Sequence, residues 1–259
     1  MSFRQTKICL AAEGIELSDI NVQRRQFLKT SVGAAAVTIA PGMLLFDMAH
    51  GKSEAVSSKI RWGMLIDTAK CVDGCNDCVT ACNKENGLAG GLSSGGLSPT
   101  GSQWIRKVEL KDMRGGRTLS LPMMCQHCEN PPCVDVCPTG ASFKRADGIV
   151  LVDKHLCIGC RYCMMACPYK ARSFVHEPLH DQKPDVPRGK GTVESCTMCV
   201  HRVDKGQQPA CAEACPNKSI MFGNLNDPDS KISKKIRTVA STQVRADLGL
   251  NTGIRYQGL

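Results

Sequence analysis

Apolar positions along this chain come in short runs separated by polar or glycine-rich stretches, and no long helical period is visible. Arg61-Trp62-Gly63-Met64-Leu65-Ile66-Asp67 is an apolar run of strand length. Trp104–Leu110 predicts another strand, Arg114-Gly115-Gly116-Arg117 a turn, and Thr118–Leu121 its partner. Ser142–Arg145 and Ile149–Val152 read as a hairpin about the tight turn Asp147-Gly148. Ser219–Gly223 echoes Ser142–Phe143 and its neighbours. Residues 86–103, rich in Gly and Ser, predict a flexible surface loop or insertion, and Phe174–Gly191, polar with three prolines, predicts another loop. Residues 224–259 are polar, carry Asp227-Pro228-Asp229 and show no strong pattern. They read as a tail that wraps the domain or docks onto a partner. The mild apolar run Val32–Phe46 is too short and too rich in Gly, Ala and Pro41 to span a membrane well, and nothing later reaches 18 continuous apolar residues.

Composition changes this picture in one respect. The 259 residues hold 17 cysteines but only 4% aromatic residues, a thin supply for the core of a chain this long. Sixteen of the cysteines fall into four runs: Cys71/75/78/82, Cys125/128/133/137, Cys157/160/163/167 and Cys196/199/211/215. The third is C-x2-C-x2-C-x3-C-P, the run that holds [4Fe–4S] clusters in bacterial ferredoxins. Three closely spaced thiolates can reach three irons of one cubane, while the fourth lies past a turn and serves a neighbouring cluster. The first run is one residue longer in its first gap (Val72-Asp73-Gly74) and lacks a Pro after Cys82. Its position supports it, because Asp67-x3-Cys71 after an apolar strand repeats Asp153-x3-Cys157 after Ile149–Val152. The fourth run has an 11-residue insertion between Cys199 and Cys211, yet its end, Pro209-Ala-Cys-Ala-Glu-Ala-Cys-Pro, echoes Pro132-Cys-Val-Asp-Val-Cys-Pro.

Alternatives for the cysteines fare worse. Structural zinc uses two separated C-x2-C pairs, whereas the third run places three ligands within seven residues. Disulfides between such close neighbours would close tiny strained loops. The five histidines after residue 55, His127, His155, His176, His180 and His201, are scattered without ligand spacing and read as surface or hydrogen-bonding residues. A formal charge of +9 suggests a nucleic-acid or membrane-surface binder. Each oxidised cubane with four thiolates carries about −2, however, so four of them bring the sum to roughly +1. No aromatic-and-basic pattern points to nucleic acid.

Residues 1–55 read as an address. Gln23-Arg24-Arg25-Gln26-Phe27-Leu28-Lys29 is similar to a twin-arginine export motif, with Gln23 where Ser or Thr is usual, and Ser53-Glu54-Ala55 offers a cleavage site. That route carries folded, cofactor-loaded proteins and predicts a periplasmic destination. Cys9 lies in this segment and reads as a bystander. No nucleophile–base pair, phosphate loop or open metal position is legible. The chain therefore reads as a wire rather than an enzyme. A free-standing reductase would need an incompletely ligated iron, which the complete cysteine count disfavours.

Four such runs behind a twin-arginine signal resemble the iron–sulfur subunits of the dimethyl sulfoxide, polysulfide and nitrite reductase complexes. The resemblance covers roughly residues 60–225. It implies an α+β fold of two ferredoxin-like domains related by internal duplication, with loop insertions and a C-terminal tail. Residues 56–102 with 188–223 would form the first domain and 103–187 the second. It also implies four [4Fe–4S] clusters with crossed ligands. One takes Cys71, Cys75, Cys78 and Cys215, and its neighbour Cys196, Cys199, Cys211 and Cys82. A third takes Cys125, Cys128, Cys133 and Cys167, and the last Cys157, Cys160, Cys163 and Cys137. Within the family, Cys71-Val-Asp-Gly-Cys75, the Trp62-Gly63-Met64 opening and the exported, anchorless chain look closest to the periplasmic iron–sulfur component of a membrane complex of sulfur-metabolising bacteria. That likeness implies an integral membrane quinone-interacting subunit and a multihaem cytochrome as partners.

Overall fold

The computed structural model describes residues 56–259 except 89–91, 94, 95, 98, 99, 114, 117 and 181. The twin-arginine motif, the apolar run behind it, the cleavage site and Cys9 lie outside the described residues.

Strand β1 (Trp62–Asp67) lies inside a four-stranded sheet, and its residues 63–66 are all buried. A strand covered on both faces needs a continuous apolar run rather than alternation, which is why the sequence announces it. One edge of β1 pairs antiparallel with β10 (Ile220–Asn224), setting Met64 opposite Phe222. The other pairs parallel with β12 (Ile254–Gln257), setting Met64 beside Ile254. The short β11 (Ser241–Thr242) closes the sheet on the far side of β12. Gly63 is required where these strands crowd, since a Cβ there would collide with the Gly253 carbonyl oxygen and the Leu225 side chain. Beside it Trp62 stacks on Phe222 with ring centroids 5.0 Å apart.

The other strands are paired in twos. β2 (Leu92–Ser93) and β3 (Gly96–Leu97) form a small hairpin. β4 (Ile105–Lys111) and β5 (Thr118–Met124) form a longer one, burying Ile105, Leu121 and Met124. β6 (Ser142–Lys144) turns through Asp147-Gly148 into β7 (Val150–Val152). β8 (Arg172–Phe174) pairs with β9 (Val193–Ser195) across the long loop between them. Helices are short: α1 (Asp77–Asn86), α2 (Pro132–Asp135), α3 (Tyr162–Ala166), α4 (Val200–Val203), α5 (Ala210–Glu213) and α6 (Lys231–Thr238). All but α6 carry or adjoin cysteines. No helix among the described residues is long and apolar enough to cross a membrane. Trp104 packs in the core.

Residues 224–259, read as a tail that wraps the domain or docks onto a partner, pack within the fold and supply two strands of its main sheet. Ser230 caps α6 by accepting from the Ser233 N–H, and Ile232, four residues before Ile236, is buried against β10. Ile254 and Tyr256 are fully buried on alternate positions of β12. The Tyr256 hydroxyl donates to Pro122 O at 3.1 Å and lies 3.1 Å from the Gln126 Nε2 donor, which joins β12 to β5 and the residues behind it. A four-residue strand offers only two inward positions, too few for a legible alternation.

Removing side-chain volume from β12 should therefore be costly. Ile254→Ala is expected to lower stability by about 3 kcal/mol, as for other large-to-small changes in a packed core. The midpoint of denaturant-induced unfolding checks this, and an unchanged midpoint would return the segment to the status of a tail.

Candidate iron–sulfur centres

The four cysteine runs share a backbone device. In each, the residue before the second cysteine lies in the left-handed region: Gly74 (φ +76°), His127 (+44°), Gly159 (+72°) and Met198 (+56°). This reverses the chain so that successive thiols face one centre. The extra residue of the first run is accommodated because a glycine stands at that turn. His127 and Met198 adopt the same conformation at a cost of roughly 1–2 kcal/mol each, a strain of the kind concentrated at functional sites. Three runs then end alike. A proline follows Cys137, Cys167 and Cys215, and Gly140, Lys170 and Lys218, three residues past each cysteine, again have positive φ. Strands β6, β8 and β10 start two residues later. The first run has no proline after Cys82, so α1 continues to Asn86 and ends on left-handed Gly87.

The Asp-x3-Cys spacing also has a local cause. Asp67 Oδ1 accepts from the Ala69 N–H at 3.2 Å, and Asp153 Oδ1 accepts from the His155 N–H at 2.8 Å. Each carboxylate holds the turn that launches its run. The backbone repeats as well: Asp67 N–H donates to Ser219 O at 2.8 Å and Asp153 N–H to Ala141 O at 2.7 Å. Ser219 and Ala141 each lie four residues after the last cysteine of a run.

Folding gathers the sixteen thiols into four sets, each drawn from two runs. Cys71, Cys75, Cys78 and Cys215 line one cavity together with Lys107 and Pro122. Cys82 lies within electrostatic reach of Cys199 and Cys211, and Cys196 of Cys82, Cys199 and Cys211. Cys125 and Cys128 face Cys133 and Cys167. Cys137, Cys157, Cys160 and Cys163 line a second cavity. The first, second, third and fourth sets lie within electrostatic reach of one another in that order, through Cys78 and Cys82, then Cys125 and Cys196, then Cys133 and Cys163.

Their surroundings favour sulfur that carries negative charge. Lys107 Nζ donates to Cys71 Sγ at 3.0 Å, and Arg172 Nη2 to Cys133 Sγ at 3.0 Å. Asn86 Nδ2 lies 3.5 Å from Cys82 Sγ. Backbone N–H groups of Ser142, Val193, Met198 and Ser219 point at Cys137, Cys157, Cys196 and Cys215 at 3.3–3.4 Å. Burial raises Cys137 and Cys215, but these bonds, joined by Thr139 at Cys137, outweigh it and hold both thiols below the usual range. At four more deeply buried cysteines burial wins, pushing Cys78 up to about 11 and Cys125, Cys128 and Cys211 up to about 12. Such thiols ionise when a metal coordinates them and displaces the proton.

The donor sets fit an iron–sulfur cluster better than a single ion. All sixteen are free thiols. Among the described residues, no three Cys, His, Asp or Glu side chains converge closely enough for one metal ion, whereas tetrahedral zinc draws its sulfurs to about 2.3 Å from a point. Buried donors with no acceptor among the described residues lie in or beside the runs, namely His127 Nε2, Thr197 Oγ1 and Arg172 Nε and Nη1. The inorganic and cysteine sulfurs of a cluster accept such bonds.

Several site residues escaped the sequence reading. His127 is fully buried, its Nδ1 accepting from the Val150 N–H at 3.0 Å. Burial and then the neighbouring Arg172 charge push its imidazole down to about 3, so it is neutral. Lys107 sits on β4, far from any cysteine run in sequence. Arg172 stands five residues after Cys167, where the echoing runs have Ser142 and Ile220. A charge at that position was the available signal.

Comparison with known proteins points to the same chemistry. Residues 66–141 and 117–225 each match a 4Fe-4S dicluster domain. The chain is 40% identical to the Hdr-like menaquinol oxidoreductase iron–sulfur subunit 1 of Archaeoglobus fulgidus, across 92% of this chain and 98% of that one. It is 34% identical to a tetrathionate reductase subunit of Salmonella typhimurium, across 93% and 90%. Protein NrfC of Escherichia coli is 38% identical, across 87% and 91%. With likeness of this extent along nearly the whole length, the chain belongs to this family of iron–sulfur subunits of redox complexes, built on 4Fe-4S dicluster domains.

Proposed function

We propose that this chain is a periplasmic electron-transfer subunit carrying four [4Fe–4S] clusters. In this reading it passes electrons between a quinone-interacting integral membrane subunit and other redox partners of sulfur metabolism, a multihaem cytochrome among them. The observation that carries the proposal is the serial order of the four thiol sets, each within electrostatic reach of the next. The first set would be Cys71, Cys75, Cys78 and Cys215, and the second Cys82, Cys196, Cys199 and Cys211. The third would be Cys125, Cys128, Cys133 and Cys167, and the fourth Cys137, Cys157, Cys160 and Cys163. Each cluster, when bound, would take up and release one electron. The protein supplies the thiolates, the N–H donors and the exclusion of water.

The repeated bonds from Asp67 to Ser219 and from Asp153 to Ala141 support an internal duplication. Residues 56–102 with 188–223 would form one ferredoxin-like unit and 103–187 the other, and 224–259 complete the first through β12. The names of the menaquinol oxidoreductase and tetrathionate reductase relatives support a quinone-linked, sulfur-related role. An iron–sulfur subunit of another respiratory reductase, of polysulfide, nitrite or dimethyl sulfoxide type, is the second reading. It is supported by the likeness to a dimethyl sulfoxide reductase iron–sulfur subunit of Halobacterium salinarum. The fourth set supplies a docking face: Cys160 is exposed and stands among exposed Leu156, Ile158, Tyr162 and Met165, the last 82% exposed. An apolar patch of this kind beside a redox centre suits a partner protein.

Three results test this. Intact holo-protein is expected to hold about 16 Fe per chain, four per cubane. Bound zinc, or iron for only two clusters, would sink the reading. Cys137→Ser is expected to alter the EPR signal of the cluster held by Cys157, Cys160 and Cys163. A change confined to the Cys125, Cys128 and Cys133 cluster would refute the crossed ligation. Replacing both Arg24 and Arg25 with Lys is expected to leave loaded protein in the cytoplasm, and unaltered periplasmic delivery would remove the twin-arginine assignment.

A further inference from the structure

Arg172 opens β8 between the third and fourth thiol sets and is only 5% exposed. Its Nη2 donates to Cys133 Sγ at 3.0 Å and to Ser142 Oγ at 2.8 Å. Its charge acts on Cys133 and Cys125 of the third set and on Cys163 of the fourth. Nε and Nη1 are buried with no hydrogen-bond partner among the described residues. No carboxylate among the described residues pairs with it. By contrast Arg188, also largely buried, is matched by Glu194 at 2.7 Å. A guanidinium cannot shed its proton to escape the interior, and an uncompensated buried charge is strongly destabilising. The counter-charge must come from sulfur on both sides. The corresponding position after Cys215 is Ile220, so the first unit has no such cation at this place.

We propose that Arg172 is the shared counter-ion of the third and fourth clusters, a positioning residue that raises both reduction potentials and keeps them close to each other. The inference rests on the four-cluster reading. One-electron reduction adds one negative charge to a cluster, and Arg172 stays protonated throughout, so no proton is exchanged at this residue. Its fixed charge favours the reduced form of either cluster. Because it touches both sets, the stabilisation persists when the electron moves from one to the other. The free Nε–H and Nη1–H groups are the donors that cluster sulfur would engage.

An EPR redox titration of the full-chain holo-protein tests this. Arg172→Met removes the charge while keeping apolar bulk. Two of the four clusters are expected to become harder to reduce by at least tenfold in equilibrium constant, a fall of about 59 mV or more for a one-electron couple. The other two should hold their wild-type values. Combining the change with Cys137→Ser, which marks the fourth set, identifies the pair. Four loaded clusters with unmoved potentials, or a fall in only one, would overturn the proposal. If Arg172→Met does not load, Arg172→Lys decides. An ammonium keeps the charge but lacks the fork that reaches both sets, so the two potentials should move unequally, and two unmoved potentials would overturn it. Failure of the wild-type protein to show cubane signals would instead refute the four-cluster reading itself.

Discussion

The constraint on which the rest of the structure depends is that the last cysteine of each run faces away from the first three. A left-handed turn inside each run draws three thiols toward one side, and in three runs a sharp turn behind the last cysteine carries it elsewhere, while Cys82 rides on α1. No run can complete a four-thiol set alone. Cys215 must return to Cys78, and Cys167 must reach Cys125 and Cys128. Segments distant along the chain are thereby tied together, and β1 pairs with β10 directly behind one such tie. Aromatic side chains are few, yet buried cysteines form part of the same cluster as Met64, Ile66, Trp104 and Tyr256. Thiols do here some of what large apolar residues do in other cores.

Electrostatics follow from the same constraint. Buried sulfur that must carry negative charge needs donors and cations close by. The chain provides them unevenly, with Lys107 on the first set, Arg172 between the third and fourth, and backbone N–H groups on Cys137, Cys157, Cys196 and Cys215. Part of the basic excess, +9 overall, therefore lies inside the protein, where Lys107 and Arg172 meet cysteine sulfur. Other cations serve packing. Arg188 meets buried Glu194 and donates to Gly87 O at 2.7 Å, which joins the loop before β9 to the end of α1.

The residues after β10 show how such a fold is finished. With β10 on one side, β1 would still present an open edge to the other, and β12 covers it in parallel register. The crossover through α6 places Ile232 under β10 and brings Tyr256 to the Pro122 carbonyl. The segment thus stabilises the strand that leads into the first run, and through it the position of Cys71.

Much of this was legible from residue order alone. Cysteine spacing in three of the runs states how many thiols can share a centre, because a few residues of backbone allow few other geometries. The strands at 62–67, 105–111, 118–124, 142–144 and 150–152 were visible because each is a short apolar or alternating segment bounded by Gly, Asp or a turn, and such signals are local. Local signals could not reveal β12, whose two inward residues acquire meaning only against β1. They could not reveal Lys107, which meets Cys71 from another strand, nor the burial of His127 under Val150. The charge of Arg172 was visible in the sequence, but that no carboxylate among the described residues pairs with it, and its place between two thiol sets, were not. Those depend on contacts between residues distant along the chain, and only the packed structure decides them.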